Sequence, residues 1–141
     1  MAYVSDQAME DWSRKELLEQ TLPFWPTHGI HRRHGAFFTC FSNSGHTLTS
    51  TDKYCWSQGR YVAISARVAL AMRSGLLVGD PALLVTAALG GAQFLRNHAL
   101  KADQSVRYVL QRDGRPVEDH RDRLRNIYAN CFVAMGSTHW P

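Results

Sequence analysis

The sequence predicts a mainly helical domain in which two units of helix, hairpin and helix follow one another. Three observations carry this. Apolar residues recur at helical spacing in four separate stretches. Two tight-turn signals, Asn43-Ser44-Gly45 and Asp113-Gly114, each sit inside a short β-favouring segment. The chain is 45% apolar and 20% charged over 141 residues, which suits one ordinary globular domain.

In chain order, Ser5 or Asp6 can cap a first helix, along which Met9, Trp12, Leu18 and Leu22 recur at near-helical spacing. Pro23 lacks an amide proton and crowds the preceding turn, so the helix is expected to kink or end there. Phe37 to Phe41 favours β-structure, and residues 36–48 read as a hairpin. Thr49, Ser50, Thr51 and Asp52 are candidate caps for a second helix over about 53–73. Its apolar positions, among them Trp56, Val62, Ile64 and Val68, fill a wide arc, so burial on more than one side is expected.

Gly79-Asp80-Pro81 is the sharpest boundary. Asp80 can cap, and Pro81 gives up nothing at the first helical position. The third helix places Leu84, Ala88, Gly91 and Leu95 on one stripe, with Phe94 and His98 beside it. Two adjacent glycines, Gly90 and Gly91, weaken it by about 1 kcal/mol each relative to alanine. Close approach of a neighbouring helix is the expected compensation. Residues 106–117 read as a second hairpin, and a fourth helix is expected over about 124–135 with Ile127, Cys131 and Met135 on one face. The two units echo one another by pattern rather than identity. Stacked helical repeats bury their faces on their neighbours, and two alone leave the array unfinished.

Several function classes are disfavoured. The formal charge of +4 is scattered, and His31-Arg32-Arg33-His34 is the one dense basic cluster, so no nucleic-acid partner is expected. No run of about 18 apolar residues would span a membrane, so no membrane partner is expected. Residues 1–12 lack the pattern of a secretory signal, which with three unpaired-looking cysteines points to the cytoplasm. His28, His31 and His34 recur every third residue without an evident fourth ligand, and no phosphate loop is present, so neither metal nor cofactor is expected. The charged run around Glu118, Asp119 and Asp122 reads as a solvated linker, and Cys40, Cys55 and Cys131 as core packing.

Arg60 stands apart. It lies near the positive end of the second helix dipole, one turn after Trp56 on the same face. It could be a structural cation paired with Asp52, or a donor to a ligand oxygen that gains negative charge.

Residues 35–60, GAFFTCFSNSGHTLTSTDKYCWSQGR, resemble the N-terminal signature of the N-acylglucosamine 2-epimerase family, known also through renin-binding protein. The matching features are Phe37-Phe38-Thr39-Cys40, Gly45, Asp52-Lys53 and Trp56-Ser57-Gln58-Gly59-Arg60. PFW at 23–25, VLQRDGRPVE at 109–118 and IYANCFVAMG at 127–136 resemble the family in the same order. The resemblance implies an all-α fold, the N-terminal part of an (α/α)6 toroid, so that 1–141 is one incomplete domain of four main helices. It implies metal-free epimerisation or aldose–ketose isomerisation at C2 of a hexose, by proton removal beside the carbonyl. By the same resemblance, Arg60, Trp56, Phe38 and Gln58 are expected to bind a small-molecule sugar.

Two positions depart from the family pattern, Ala36 for a glycine and Ser57 for a larger apolar residue. The family's acid–base histidines and their glutamate partner lie in later hairpins, and His98, His120 and His139 do not stand in their motif context. No catalytic residue is therefore assigned, and the chain alone is expected to be inactive as an isomerase. The alternatives are a non-catalytic sugar-binding or protein-interaction module and an inactive remnant. Unfinished helix faces also suggest a homo-oligomer.

Overall fold

The computed structural model describes residues 5–118 and 127–138. Its elements are α1 (Asp6–Lys15), a π-helical segment (Glu16–Thr21), α2 (Leu22–Phe24), a second π-helical segment (Trp25–Gly29), β1 (Cys40–Phe41), β2 (Leu48–Ser50), β3 (Lys53–Tyr54), α3 (Cys55–Arg73), α4 (Ala82–His98), β4 (Val109–Leu110) and α5 (Ile127–Ser137). Among the described residues the four main helices are the helical run from Asp6 to Gly29, α3, α4 and α5, and the fold is all-α with short β-pairs in the connections.

Ser5 caps α1 by accepting from the Ala8 amide at 3.3 Å. Pro23 does not end the helix. The backbone continues helically to Gly29 by widening into π-turns on either side, as where the Leu22 amide bonds five residues back to Leu17. A wider turn removes the need for the proton that proline lacks and relieves the crowding of its ring.

The first hairpin is shorter than its sequence suggests, with β1 and β2 pairing Cys40 with Ser50 and Phe41 with Leu48. Lys53 and Tyr54 are not the start of the second helix. They form β3, which pairs antiparallel with β4, Lys53 opposite Leu110 and Tyr54 opposite Val109. The two units are thus joined by a strand pair as well as by helix packing. Asp52 does not cap α3, whose N-cap is Tyr54 with no side-chain bond. Pro81 is the N-cap of α4 rather than its first residue, and Asp80 just before it accepts from Ala82 N–H at 2.9 Å. The Asp113-Gly114 turn is present, with Gly114 at φ +93° and its amide bonded to the Gln111 carbonyl.

The main core lies between α3, α4 and α5, with Val62, Ala88, Leu95, Leu110 and Ala129 all at or below 1% exposure. The expected α4 stripe is buried as read, including Leu84, Ala88, Gly91 and Leu95. A β-carbon at Gly91 would lie 2.7 Å from Val62 Cγ2 of α3, so the glycine permits the helix approach anticipated for it. On α5 the buried face is Ala129, Val133 and Gly136. Ile127 and Cys131 face outward instead. The reason is the closeness of α3 and α5, which admits only small side chains between them. A β-carbon on Gly59 would run into the Phe132 carbonyl, and one on Gly136 would come 2.8 Å from the Gly59 oxygen. Residues 124–126 of the expected fourth helix, and His120, Asp119, Asp122 and His139, lie outside the described residues.

Gly59→Ala should therefore cost about 2 kcal/mol or more in stability, because neither backbone can yield without opening the α3–α5 contact. Gly75→Ala is the control. Its β-carbon would meet nothing within 4 Å, although its φ is +77°, so only the left-handed strain of about 1 kcal/mol applies. Urea unfolding of both variants checks the order.

Candidate functional site

A cavity of about 640 Å³ opens between the first helical run, the 37–40 segment and α3. Trp25, Phe37, Tyr54, Trp56, Tyr61 and Tyr108 give it aromatic walls, Thr39 and Ser57 give it hydroxyls, and among the described residues Arg60 is the one charged residue lining it. No described histidine or carboxylate contributes to this lining.

The first turns of α3 set up these positions. Residues 56, 60 and 64 fall on one helix face at spacings of four, and Trp56, Arg60 and Ile64 all reach the cavity. The Arg60 guanidinium carbon lies 5.8 Å from the centre of the Trp56 ring and 5.2 Å from that of Phe132 on α5. Such contacts orient a planar cation while its donors stay free. Arg60 is exposed, and among the described residues it makes no ion pair with Asp52 or any other carboxylate. Opposite it, the Tyr61 ring lies 4.5 Å from Trp25 and stacks on Phe37 at 5.4 Å. Burial pushes the Tyr61 phenol up to about 12, against the opposing pull of Arg60. It is neutral around pH 7 and can donate or accept a hydrogen bond.

The four residues expected to bind sugar do not stay together. Trp56 and Arg60 share the cavity, but Gln58 and Phe38 do not line it. Gln58 is fully buried, and its amide is spent on one peptide. Its Oε1 accepts from Phe37 N–H at 2.8 Å, and its Nε2 donates to the Phe37 carbonyl at 3.0 Å. A helix places residue 58 roughly 160° away from both 56 and 60, so the same turn that aims Arg60 outward aims Gln58 at the loop. Phe38 packs on the far side of that loop, its ring 4.4 Å from His31 and 5.5 Å from Lys53 Nζ. Sequence reading missed Trp25, Tyr54, Tyr61, Tyr108 and Phe132 as site residues. Trp25 and Tyr61 were visible as aromatics beside sequence features of interest, but Tyr108 and Phe132 arrive only through the β3–β4 and α3–α5 contacts.

Lys53, read from sequence as a helix start, is instead fully buried. Its ammonium donates to the Gly35 carbonyl at 2.6 Å and sits 4.5 Å from the centre of the Phe94 ring. Loss of hydration, followed by the field of Arg112, lowers its pKa to about 7. His31 packs on Phe38 and is 6% exposed, with Nδ1 lacking a hydrogen-bond partner among the described residues. Burial first, then the charge of Lys53, lowers it to about 4. His28, His31 and His34 do not converge on a common point. His28 packs on Phe24 at 5.1 Å, and among the described residues no group of three side chains could hold a metal ion.

No family model matches the chain, and no curated protein matches it. Solved structures do. A cellobiose 2-epimerase from Spirochaeta thermophila matches 93% of this chain and 30% of its own, at a TM-score of 0.68 and 20% identity. A cellobiose 2-epimerase from Bacillus thermoamylovorans matches 89% of this chain and 30% of its own, at 0.65 and 21%. A sugar epimerase from a ruminal bacterium matches 77% and 26%, at 0.62 and 21%. The chain therefore spans less than a third of the length of these structures and shares the helical toroid fold with that portion.

Two measurements test the supports of the site. Gln58→Leu leaves both polar groups of the Phe37 peptide buried and unpaired, and should cost about 2–4 kcal/mol in urea unfolding. The second concerns pH. The pKa of Lys53 is lower in the folded chain than in the unfolded chain, so the unfolded chain binds more protons between about 7 and 10.5. The cost of burying its charge is full below about pH 7 and fades as pH rises through that window, so stability should climb by at most about 1.4 kcal/mol per pH unit. Lys53→Met should flatten that climb. Keeping the series below about pH 9.5 avoids tyrosine ionisation.

Proposed function

We propose that this chain is the sugar-binding part of a C2 epimerase or isomerase of the toroid type, holding its ligand in the cavity between the first helical run and α3. The observation that carries this is Arg60, a guanidinium steadied by two aromatic rings at a cavity with aromatic walls, with no carboxylate among the described residues consuming its donors. Pyranose faces are apolar and stack on Trp56, Tyr61 or Trp25. Their oxygens accept hydrogen bonds from Arg60, from the Tyr61 phenol and from the Thr39 hydroxyl, while the Ser57 hydroxyl, which donates its proton to the Tyr54 carbonyl at 2.8 Å, is left as an acceptor. The volume of about 640 Å³ falls in the range of pockets for small organic ligands.

In this reading Arg60 polarises a sugar oxygen near C1 or C2, where negative charge develops as the neighbouring C–H proton leaves. Proton removal and return need a base and acid near the carbon. Among the described residues the cavity lining supplies neither a histidine nor a carboxylate, so the part assigned to this lining is binding and polarisation rather than proton transfer. Support for the epimerase reading is the shared fold with sugar epimerases and the motif resemblance around Arg60.

Two outcomes are expected. Cellobiose or N-acetylglucosamine should shift the tryptophan emission of the chain, since Trp25 and Trp56 line the cavity, and Arg60→Ala should weaken that binding about 10- to 100-fold. In heavy water the chain alone should incorporate no deuterium at C2. A titration that leaves the emission unchanged would remove the binding claim, and rapid incorporation would show that the chain carries its own base.

A further inference from the structure

Two groups that can carry a charge are buried at one short loop. Residues 31–38 follow the first helical run and lie against α4, where a β-carbon on Gly35 would come 2.8 Å from the Gly90 carbonyl oxygen. Lys53 beside this loop is fully buried, and His31 at its start is 6% exposed. Both pack on Phe38, the His31 ring at 4.4 Å and Lys53 Nζ at 5.5 Å from the ring centre. Further chain packed against this side would only deepen their burial.

The surroundings do not suit a charge on either group. An ammonium has three protons to place, and among the described residues that of Lys53 has one acceptor, the Gly35 carbonyl at 2.6 Å. Otherwise it meets the rings of Phe94 and Phe38. Neutral His31 already leaves Nδ1 without a described partner, and a charged ring would need an acceptor at both nitrogens. The charges that act on the pair are all positive. They are Lys53 on His31, His34 and Arg33 from the same loop, and Arg112 from the turn after β4. The His34 ring is 5.1 Å from that of His31. From α4 come the Phe94 ring and His98, which packs on Phe94 at 4.9 Å. No described carboxylate is among the groups acting on either, and Asp113 beside Arg112 is bound by Arg115 at 2.8 Å. The closed loop is also strained, since Ala36 holds φ +63° with a β-carbon.

We propose that the 31–38 loop is an acid-opened flap, closed on α4 while Lys53 and His31 are uncharged and swung away, with the Phe37 wall of the cavity, when they gain protons. Phe37 couples the two events. Its peptide belongs to the loop, and its ring stacks on Tyr61 in the cavity. The sign follows from linkage. Both groups hold a proton more weakly under the closed loop than in water, Lys53 at about 7 against 10.5 and His31 at about 4 against 6.5. Protons therefore favour the open form, and the closed form gains as pH rises. Between pH 8 and pH 6, Lys53 makes opening about 10-fold easier and His31 about 4-fold. The proposal rests on the sugar reading of the Arg60 cavity only for the identity of the ligand that opening releases.

Amide hydrogen exchange of the full chain, followed residue by residue between pH 5 and pH 8, tests it. Dividing by the intrinsic rate at each pH leaves the protection. The reporters are the amides of His31, Phe37 and Phe38, which bond to the Ala36 carbonyl, to Gln58 Oε1 and to the Gly29 carbonyl. Their protection should fall about 40-fold from pH 8 to pH 6 and stay below that of amides in the middle of α3 and α4. Lys53→Met should reduce the fall to about 4-fold, and His31→Leu, an independent variant, to about 10-fold. Cellobiose at pH 6 should restore loop protection. Loop protection equal to that of the helices at every pH would overturn the flap, because the loop would then open only with the whole fold. Protection that ignores pH, or variants that keep the wild-type fall, would overturn it equally. Loss of the cellobiose effect alone, with the pH dependence intact, would overturn the sugar reading and leave the flap standing.

Discussion

The paired hydrogen bonds between the Gln58 amide and the Phe37 peptide are the constraint on which the site depends. They tie the first turn of α3 to a loop that has almost no sheet of its own, since β1 spans only Cys40 to Phe41. Phe37 is 2% exposed, so its N–H and carbonyl must be satisfied from within the protein. Gln58 does both at once. With the loop pinned there, the Phe37 ring stacks on Tyr61, and Thr39 comes within 3.3 Å of Ser57. The opposite side of the same helical turn then presents Trp56 and Arg60 to the cavity. Lys53 adds a second tie two residues upstream in the loop, through Gly35.

Two cations beside aromatic rings behave differently because water reaches only one of them. Lys53 touches Phe94 and Phe38 from a fully buried position, and its pKa falls to about 7. Its role is to satisfy a carbonyl, and it carries the cost of losing hydration. Arg60 leans on Trp56 and Phe132 with its donors facing solvent and cavity. A guanidinium is more weakly hydrated than an ammonium and can present several donors in one plane, which suits contact with ring oxygens. The packing that brings Phe132 to Arg60 is the approach of α3 and α5 at Gly59 and Gly136. One glycine thus contributes to both stability and the site, as Gly59 lies directly between Gln58 and Arg60 in sequence.

Glycine and alanine also explain why α3 is buried on several sides. It meets α4 across Val62 and Gly91, and α5 across Gly59 and Gly136. Each contact removes bulk where two backbones must come close, and the loss of helix propensity is offset by the packing gained. Ala36 sits at φ +63°, the left-handed region that glycine adopts freely, which gives a physical reason for a glycine at that position in the family pattern.

The sequence by itself determined the helical class, the break at Gly79-Asp80-Pro81, the buried stripe of α4 and the placement of Trp56 and Arg60 on one helix face. All four are local, set by residues within a few turns of one another. Tertiary structure decided the rest. Pro23 lies inside a continuing helical run because π-turns accommodate it. Lys53 pairs with Leu110 as a strand, a contact across 57 positions that no local pattern encodes. Gln58 serves the loop rather than the cavity because a partner peptide lies on its side of the helix. The inner face of α5 is Ala129, Val133 and Gly136 rather than the larger residues beside them, since the space α3 leaves there admits only small side chains. Periodicity shows where a helix has an apolar face, but which face is buried depends on how near the neighbouring backbone comes.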